Sequence, residues 1–199
     1  MHTYHVDKEL RTRVFIVSGI LSIFSAYLFH FFTQQLPFDI PWWFDTPAVL
    51  GFFSMFVWLY DNHFWRYSPF RRLKWFYIPN LNGLWKVKIV SSYKGFEDYI
   101  QATVRIRQTA SKISIALQTN ESSSHSIFAA LICIERFNTY ELVYHYVNRP
   151  KADAVETMSI HNGTCWLEVA DNIGCLEGVY YSGRGRQHFG TIAFVRQET

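Results

Sequence analysis

Cysteine is scarce in this 199-residue chain, and Cys133, Cys165 and Cys175 include no C-x-x-C pair. They read as reduced, buried, small hydrophobes. Catalytic signatures are lacking too: there is no H-E-x-x-H, no G-x-S-x-G, no P-loop and no dinucleotide-binding glycine pattern. His125, His145, His161 and His188 fall on different predicted strands and loops without metal-ligand spacing, and read as surface or satisfied histidines. An excess of one charge is also missing. The formal net charge is +3, with 7 Lys/Arg against 5 Asp/Glu in residues 1–79 and 12 against 11 in residues 80–199. That balance gives no support for duplex nucleic acid as a partner.

Charge is most completely absent from Val14–Phe32, VFIVSGILSIFSAYLFHFF, a run of 19 residues. As a helix it is roughly 28 Å long, enough to cross a hydrocarbon core of about 30 Å with flanking help. A second span, Pro47–Trp65, has a shorter apolar run, Ala48–Tyr60. It becomes a crossing if the helix continues through Asp61-Asn62-His63 to Phe64-Trp65 at the headgroups. Pro47 suits a first helical position, with Asp45 or Thr46 as cap. A cleaved signal peptide fits less well, because the apolar region is long, no A-x-A-like site follows and a second span does.

Lysine and arginine orient these spans. Lys8, Arg11 and Arg13 precede the first, Arg66, Arg71, Arg72 and Lys74 follow the second, and the connector has none but carries Trp42-Trp43 as interface anchors. By the positive-inside rule both termini face the cytoplasm. The expected order is a cytoplasmic polar lead-in with no pattern of its own (1–13), transmembrane helix 1 (14–32), a periplasmic connector (33–46) and transmembrane helix 2 (47–65). A basic aromatic juxtamembrane linker (66–80), attracted to anionic headgroups, then leads to a cytoplasmic domain (81–199). The small-residue stripe Ser18, Ser22, Ala26 and the face shared by Gly51, Ser54, Trp58, Asp61 and Trp65 suit helix packing, within the hairpin or between protomers.

From Leu81 onward the pattern is β. Trp85, Val87 and Ile89 alternate with lysines, and Ile100, Ala102, Val104 and Ile106 alternate with Thr103, Arg105 and Arg107. Further runs cover 113–117, 126–135, 140–147, 164–169, 175–181 and 188–196, separated by turn signals such as Lys94-Gly95 and Gly183-Arg184-Gly185. Eight short antiparallel strands joined mainly by tight turns are best closed as a lipocalin-like up-and-down β-barrel, which removes exposed edges. The predicted fold is this all-β barrel on a membrane α-helical hairpin.

One constellation carries chemistry. Tyr144 and Tyr146 share a face of one predicted strand, Trp166 is central in another, and Tyr180-Tyr181 lead into Ser182-Gly183-Arg184-Gly185-Arg186. A glycine-containing loop with two arginines presents guanidinium groups and amides to phosphate oxygens, and aromatic faces stack on bases. The candidate site is therefore Arg184 and Arg186 for phosphates, with Tyr144, Tyr146, Trp166 and Tyr181 for bases. Together they suit a small nucleotide with more than one phosphate. A plainer account exists: hairpin turns need glycine and barrel tyrosines fill space. Two other readings stay open, a membrane-anchored lipocalin-like binder of a small apolar ligand, motivated by Gly83-x-Trp85, and an enzyme using His145, His188 or the carboxylates Glu168 and Glu177, which could meet across adjacent strands.

Two spans, then a domain opening Leu81-Asn82-Gly83-Leu84-Trp85 and closing Glu177-Gly178-Val179-Tyr180-Tyr181-Ser182-Gly183-Arg184-Gly185-Arg186 and Gly190-Thr191-Ile192-Ala193-Phe194, form an arrangement that resembles a known family. It is similar to the two-transmembrane, β-strand-rich CD-NTase-associated effectors of bacterial CBASS antiphage signalling. The resemblance covers nearly the whole chain and rests on architecture rather than on a diagnostic motif. It implies a non-enzymatic, multi-pass inner-membrane protein without metal or cofactor. Its barrel would sense a 3′,3′-type cyclic dinucleotide made by a cognate CD-NTase. The signal would promote homo-oligomerisation, the spans would disrupt the inner membrane, and the infected cell would die. No DNA or RNA polymer is implied as partner.

Overall fold

The computed structural model describes residues 1–6, 8–35, 37, 45–67, 77–134, 139–155, 158–170, 173–183 and 187–197. Trp42, Trp43, Arg71, Arg72 and Lys74 lie outside them. The chain divides into a helical unit, Lys8–Ile78, and a β unit built from Met1–Asp7 and Pro79–Thr199.

In the helical unit, α1 (Lys8–Thr33) begins earlier than the apolar run that predicts it. Its Glu9–Thr33 portion is long and apolar enough to cross a membrane. Ile16, Ile20, Ile23, Phe24 and Tyr27 are all exposed, and a helix this apolar over so much of its surface wants a non-aqueous neighbour. Ser18 and Ser22 are buried, while α1 meets α2 (Asp45–Asn62) through the ring pairs Phe15–Phe53 and Phe29–Phe52. Gly51, Ser54 and Trp58 are exposed. The expected continuous helix through Trp65 does not form. The α-helix stops at Asn62, whose Nδ2 donates back to the Trp58 carbonyl at 2.9 Å, and Phe64–Arg66 tightens into a 3₁₀ turn. Side-chain bonding of this kind competes with the helical ladder.

The β unit contains β1 (His2–Thr3), β2 (Gly83–Ser91), β3 (Tyr99–Gln108), β4 (Lys112–Gln118), β5 (Ser122–Ile134), β6 (Thr139–Pro150), β7 (His161–Val169), β8 (Cys175–Ser182) and β9 (Phe189–Arg196). From β2 to β9 each strand pairs antiparallel with the next, and β9 returns to β2 over Trp85↔Arg196 to Ser91↔Gly190. The result is the predicted eight-stranded closed barrel. Its seam is β4–β5, paired only through Ala116↔His125, Leu117↔Ser124 and Gln118↔Ser123. Where those strands part, the N-terminal segment fills the gap. His2 and Thr3 pair with Ile113 and Lys112. The His5 amide donates to the Ala129 carbonyl at 3.0 Å, and the Leu131 amide donates to the His5 carbonyl at 2.8 Å.

Alternation puts Trp85, Val87, Val104, Ile106, Ile113, Ile115, Leu167, Leu176 and Phe194 inside. In β5 the register shifts between Ser126 and Phe128, so Ser122, Ser124 and Ser126 point inward before it and Ala129 and Leu131 after it. One barrel end is closed. Trp85 packs edge-on against Phe194, donates its Nε1–H to the Leu81 carbonyl at 3.1 Å and lies 4.7 Å beneath the Arg196 guanidinium. Buried Gln108 completes that cap: its Oε1 accepts from the Leu81 amide at 2.8 Å, and its Nε2 donates to the Tyr4 hydroxyl at 3.0 Å and the Pro79 carbonyl at 3.2 Å.

Candidate ligand-binding site

The opposite end of the barrel is open and holds a cavity of about 790 Å³, within the range of small-molecule sites. Its wall comes from the strand ends at this mouth: Ile89 and Ser91 of β2, Ile100 and Gln101 of β3, Ser122 and Ser124 of β5, Tyr144, Tyr146 and Asn148 of β6, Cys165 of β7 and Tyr180 and Ser182 of β8. Tyr93, Asp98, Thr119, Glu121, Met158, His161 and His188 form the rim.

Two tyrosines in this wall are fixed by glycines opposite them. Tyr146 is paired with Gly163, where an added Cβ would collide with Oη and Cζ of the phenol. Tyr180 is paired with Gly190, where a Cβ would stand 3.0 Å from the Tyr180 ring and strike the Val90 carbonyl. The Tyr146 ring thus occupies space that only glycine leaves free, and the Tyr180 ring lies close over Gly190, whose Cβ the Val90 carbonyl itself excludes. Both contacts limit rotamers before any ligand arrives. Tyr144 sits beneath them, buried, its ring 6.1 Å from that of Tyr146 and its hydroxyl bonded to Cys165. Burial raises the Tyr144 and Tyr146 phenols well above their ordinary range. Burial also pushes the Cys165 thiol up to about 12, against the Tyr144 hydrogen bond, which favours the thiolate. At neutral pH the deep cavity is therefore uncharged and rich in hydroxyls.

The predicted site residues separate along strand parity. Tyr144 and Tyr146 face the cavity together. Trp166 and Tyr181 do not: both are exposed on the outer wall, where Trp166 Nε1 donates to Glu141 at 2.7 Å. Each shares its face with a glutamate, Glu168 or Glu177, and that charge was the signal in the sequence that this face is wet. Tyr180, one residue earlier than Tyr181, is the one that turns inward. Arg184 and Arg186 lie outside the described residues. The ends of their segment are held together, since the Ser182 amide donates to the His188 carbonyl at 2.8 Å and the Ser182 hydroxyl bonds both polar atoms of the His188 backbone. Tyr93 packs on His188 with ring centroids 5.2 Å apart. Of the singled-out histidines, His161 and His188 reach the rim, whereas His145 bonds Thr164 and His125 is exposed. Glu168 and Glu177 do meet across β7 and β8, on the outer wall. Among the described residues no group of histidine, cysteine or carboxylate side chains is placed to hold a metal.

A closed eight-stranded barrel whose open end is an aromatic, hydroxyl-lined cup defines a receptor domain for one small ligand. Comparison with known proteins specifies which kind. Residues 76–196 match the family described as "Cap15, cyclic dinucleotide receptor domain". The chain is 30% identical over 147 residues to CD-NTase-associated protein 15 of Yersinia aleksiciae, covering 74% of this chain and 68% of that protein. It is 28% identical over 142 residues to the protein of that name from Staphylococcus schleiferi (71% and 74% covered), and 24% identical over 171 residues to the one from Escherichia albertii (83% and 84% covered). The chain belongs to the Cap15 family, as its resemblance to CBASS effectors implies.

Proposed function

We propose that this chain is a membrane-anchored sensor of antiviral CBASS signalling that binds a 3′,3′-type cyclic dinucleotide, made by a cognate CD-NTase, in the cup at the barrel mouth. The observation that carries the reading is the pair of glycine-seated tyrosines, Tyr146 and Tyr180, facing one polar cavity within a cyclic dinucleotide receptor domain. Their faces offer stacking surfaces for two bases. Arg184 and Arg186 serve the phosphates: each is two residues along the chain from a cavity-lining residue, Ser182 or His188, and two residues span at most about 7 Å. Trp166 and Tyr181 take no part in this version of the site. The serine, asparagine and tyrosine lining favours a polar ligand over the apolar one of the lipocalin-like alternative, and no reaction is assigned to the cup.

Downstream of binding, α1 anchors the chain and α2, its apolar surface carried on by the Phe64–Arg66 turn in place of a continuous helix, supplies a second crossing of the inner membrane, with both termini cytoplasmic as the Lys/Arg distribution favours. Ligand shifts the chain toward an assembled form by binding that form more tightly. Assembly concentrates helices whose uncovered faces, Gly51, Ser54 and Trp58 among them, meet laterally and disrupt the bilayer, and the infected cell dies.

Calorimetry of the detergent-solubilised full chain against a panel of 3′,3′-cyclic dinucleotides tests the binding step. At least one member is expected to bind, and Tyr146→Ala and Tyr180→Ala each to weaken it about 5- to 100-fold, the worth of one lost base stack. No heat from any member, or unchanged affinity in both variants, overturns the reading.

A further inference from the structure

The outer wall of the barrel carries two unlike faces. On β6, β7 and β8 the register sets Glu141 opposite Glu168 and Glu168 opposite Glu177. Like charges directly opposed on neighbouring strands destabilise a sheet, and the relief here is two neutral donors, Trp166 Nε1 to Glu141 and the Cys175 thiol to Glu177. The next row toward the mouth is apolar, Val143, Trp166 and Val179, with Trp166 and Val179 exposed. On β2, β3 and β4 the outward positions instead carry exposed Lys86, Lys88, Arg105, Arg107 and Lys112 and no carboxylate. None of these eight charged side chains has an ion-pair partner among the described residues.

Topology fixes how the faces are related. In the closed order β7 is four strands from β3 in either direction, so the acidic and basic walls are diametrically opposed. Their charges also stand at similar heights: Glu168 and Arg107 are each the last residue but one of their strands, at the end remote from the cavity.

We propose that the β7 wall of one copy docks against the β3 wall of a second copy, so that barrels join head to tail in an open row. This deepens the assembly step of the function proposed above and rests on it. The occupant is a second copy because each wall is the complement of the other. A basic wall alone would suit an anionic membrane equally, but the acidic wall with its exposed tryptophan would then have no counterpart. Opposed, unlike faces make a heterologous contact, which extends in a line rather than closing as a two-fold dimer.

The test sizes the full chain in detergent by light scattering, at low and high salt, alone and with the dinucleotide panel used for calorimetry. Wild type is expected to form salt-sensitive assemblies larger than dimers. Glu168→Lys with Glu177→Lys makes both walls basic, and Arg105→Glu with Arg107→Glu turns the β3 strand at the centre of the basic wall acidic. Each variant alone should need about tenfold or more protein to assemble, while binding the dinucleotide as wild type does. An equimolar mixture should recover wild-type sizes, because basic and acidic copies can alternate. Glu168→Gln with Glu177→Gln, which introduces no new charge, should weaken assembly in the same direction. Wild-type assembly by either reversed variant alone, or no recovery on mixing, overturns the proposal. So does loss of binding to phosphatidylglycerol vesicles by the Arg105/Arg107 variant with assembly unchanged, which would assign the basic wall to lipid. Salt-sensitive assembly without binding of any dinucleotide would instead sink the ligand reading and leave the walls standing.

Discussion

Tyr144, Tyr146 and Cys165 keep their protons far into alkali because the barrel interior disfavours their anions. Each folded pKa is raised above its unfolded value, so the folded state binds protons more tightly. The associated stability is complete below the unfolded values, about 8.5 for cysteine and 10 for tyrosine, and is lost as pH rises through the folded values, at up to about 1.4 kcal/mol per pH unit for each group. The thermal midpoint of the full chain in detergent should therefore fall progressively from about pH 9 upward. Cys165→Ala should make the fall shallower between about pH 9 and 10, before the tyrosines take over, while Cys175, whose thiol is also raised by burial, keeps its own share. An unchanged slope in that variant would show that Cys165 is not held as a buried thiol.

At the scale of elements, the least expected feature is how the chain before α1 is used. Residues 2–5 are part of the barrel, and Tyr4 meets Pro79 and Leu81 through Gln108. Gln108→Ala would leave the buried Leu81 amide and Pro79 carbonyl without that partner, at about 1–3 kcal/mol each. Chemical denaturation of the full chain should show a loss of about 2–4 kcal/mol, whereas Thr103→Ala on the exposed face of the same strand should change little. A Gln108→Ala chain as stable as wild type would show that the cap contributes nothing.

The strands themselves were legible because Trp85-x-Val87-x-Ile89 and its successors alternate cleanly, and the barrel followed from their number and short turns. Two things resist such reading. A two-residue strand such as His2–Thr3 is too short to show a period. In β5 the register shift reverses which residues face inward partway along, so a strand with apolar residues on both sides gives no single answer. The cup was half legible for a related reason. Tyr144 and Tyr146 were found as a pair, but Tyr180 and Tyr181 are adjacent, and choosing between them needed the parity marked by Glu177. Gly163 and Gly190 became meaningful only once the register placed them across from the tyrosines they seat.

At the scale of the whole molecule, the proposal requires the barrel to share a compartment with the enzyme that makes its ligand. A fluorescent protein fused at the C-terminus should fold and glow, and alkaline phosphatase at the same point should be inactive. The reverse result would place the cup out of reach of a cytosolic messenger. The same scale governs how the response grows. A cylinder whose two complementary faces look in opposite directions contains no instruction for when to stop adding neighbours. Row length would then follow supply, so that a small rise in occupied copies lengthens every row at once, much as a crystal front advances once its solution is saturated.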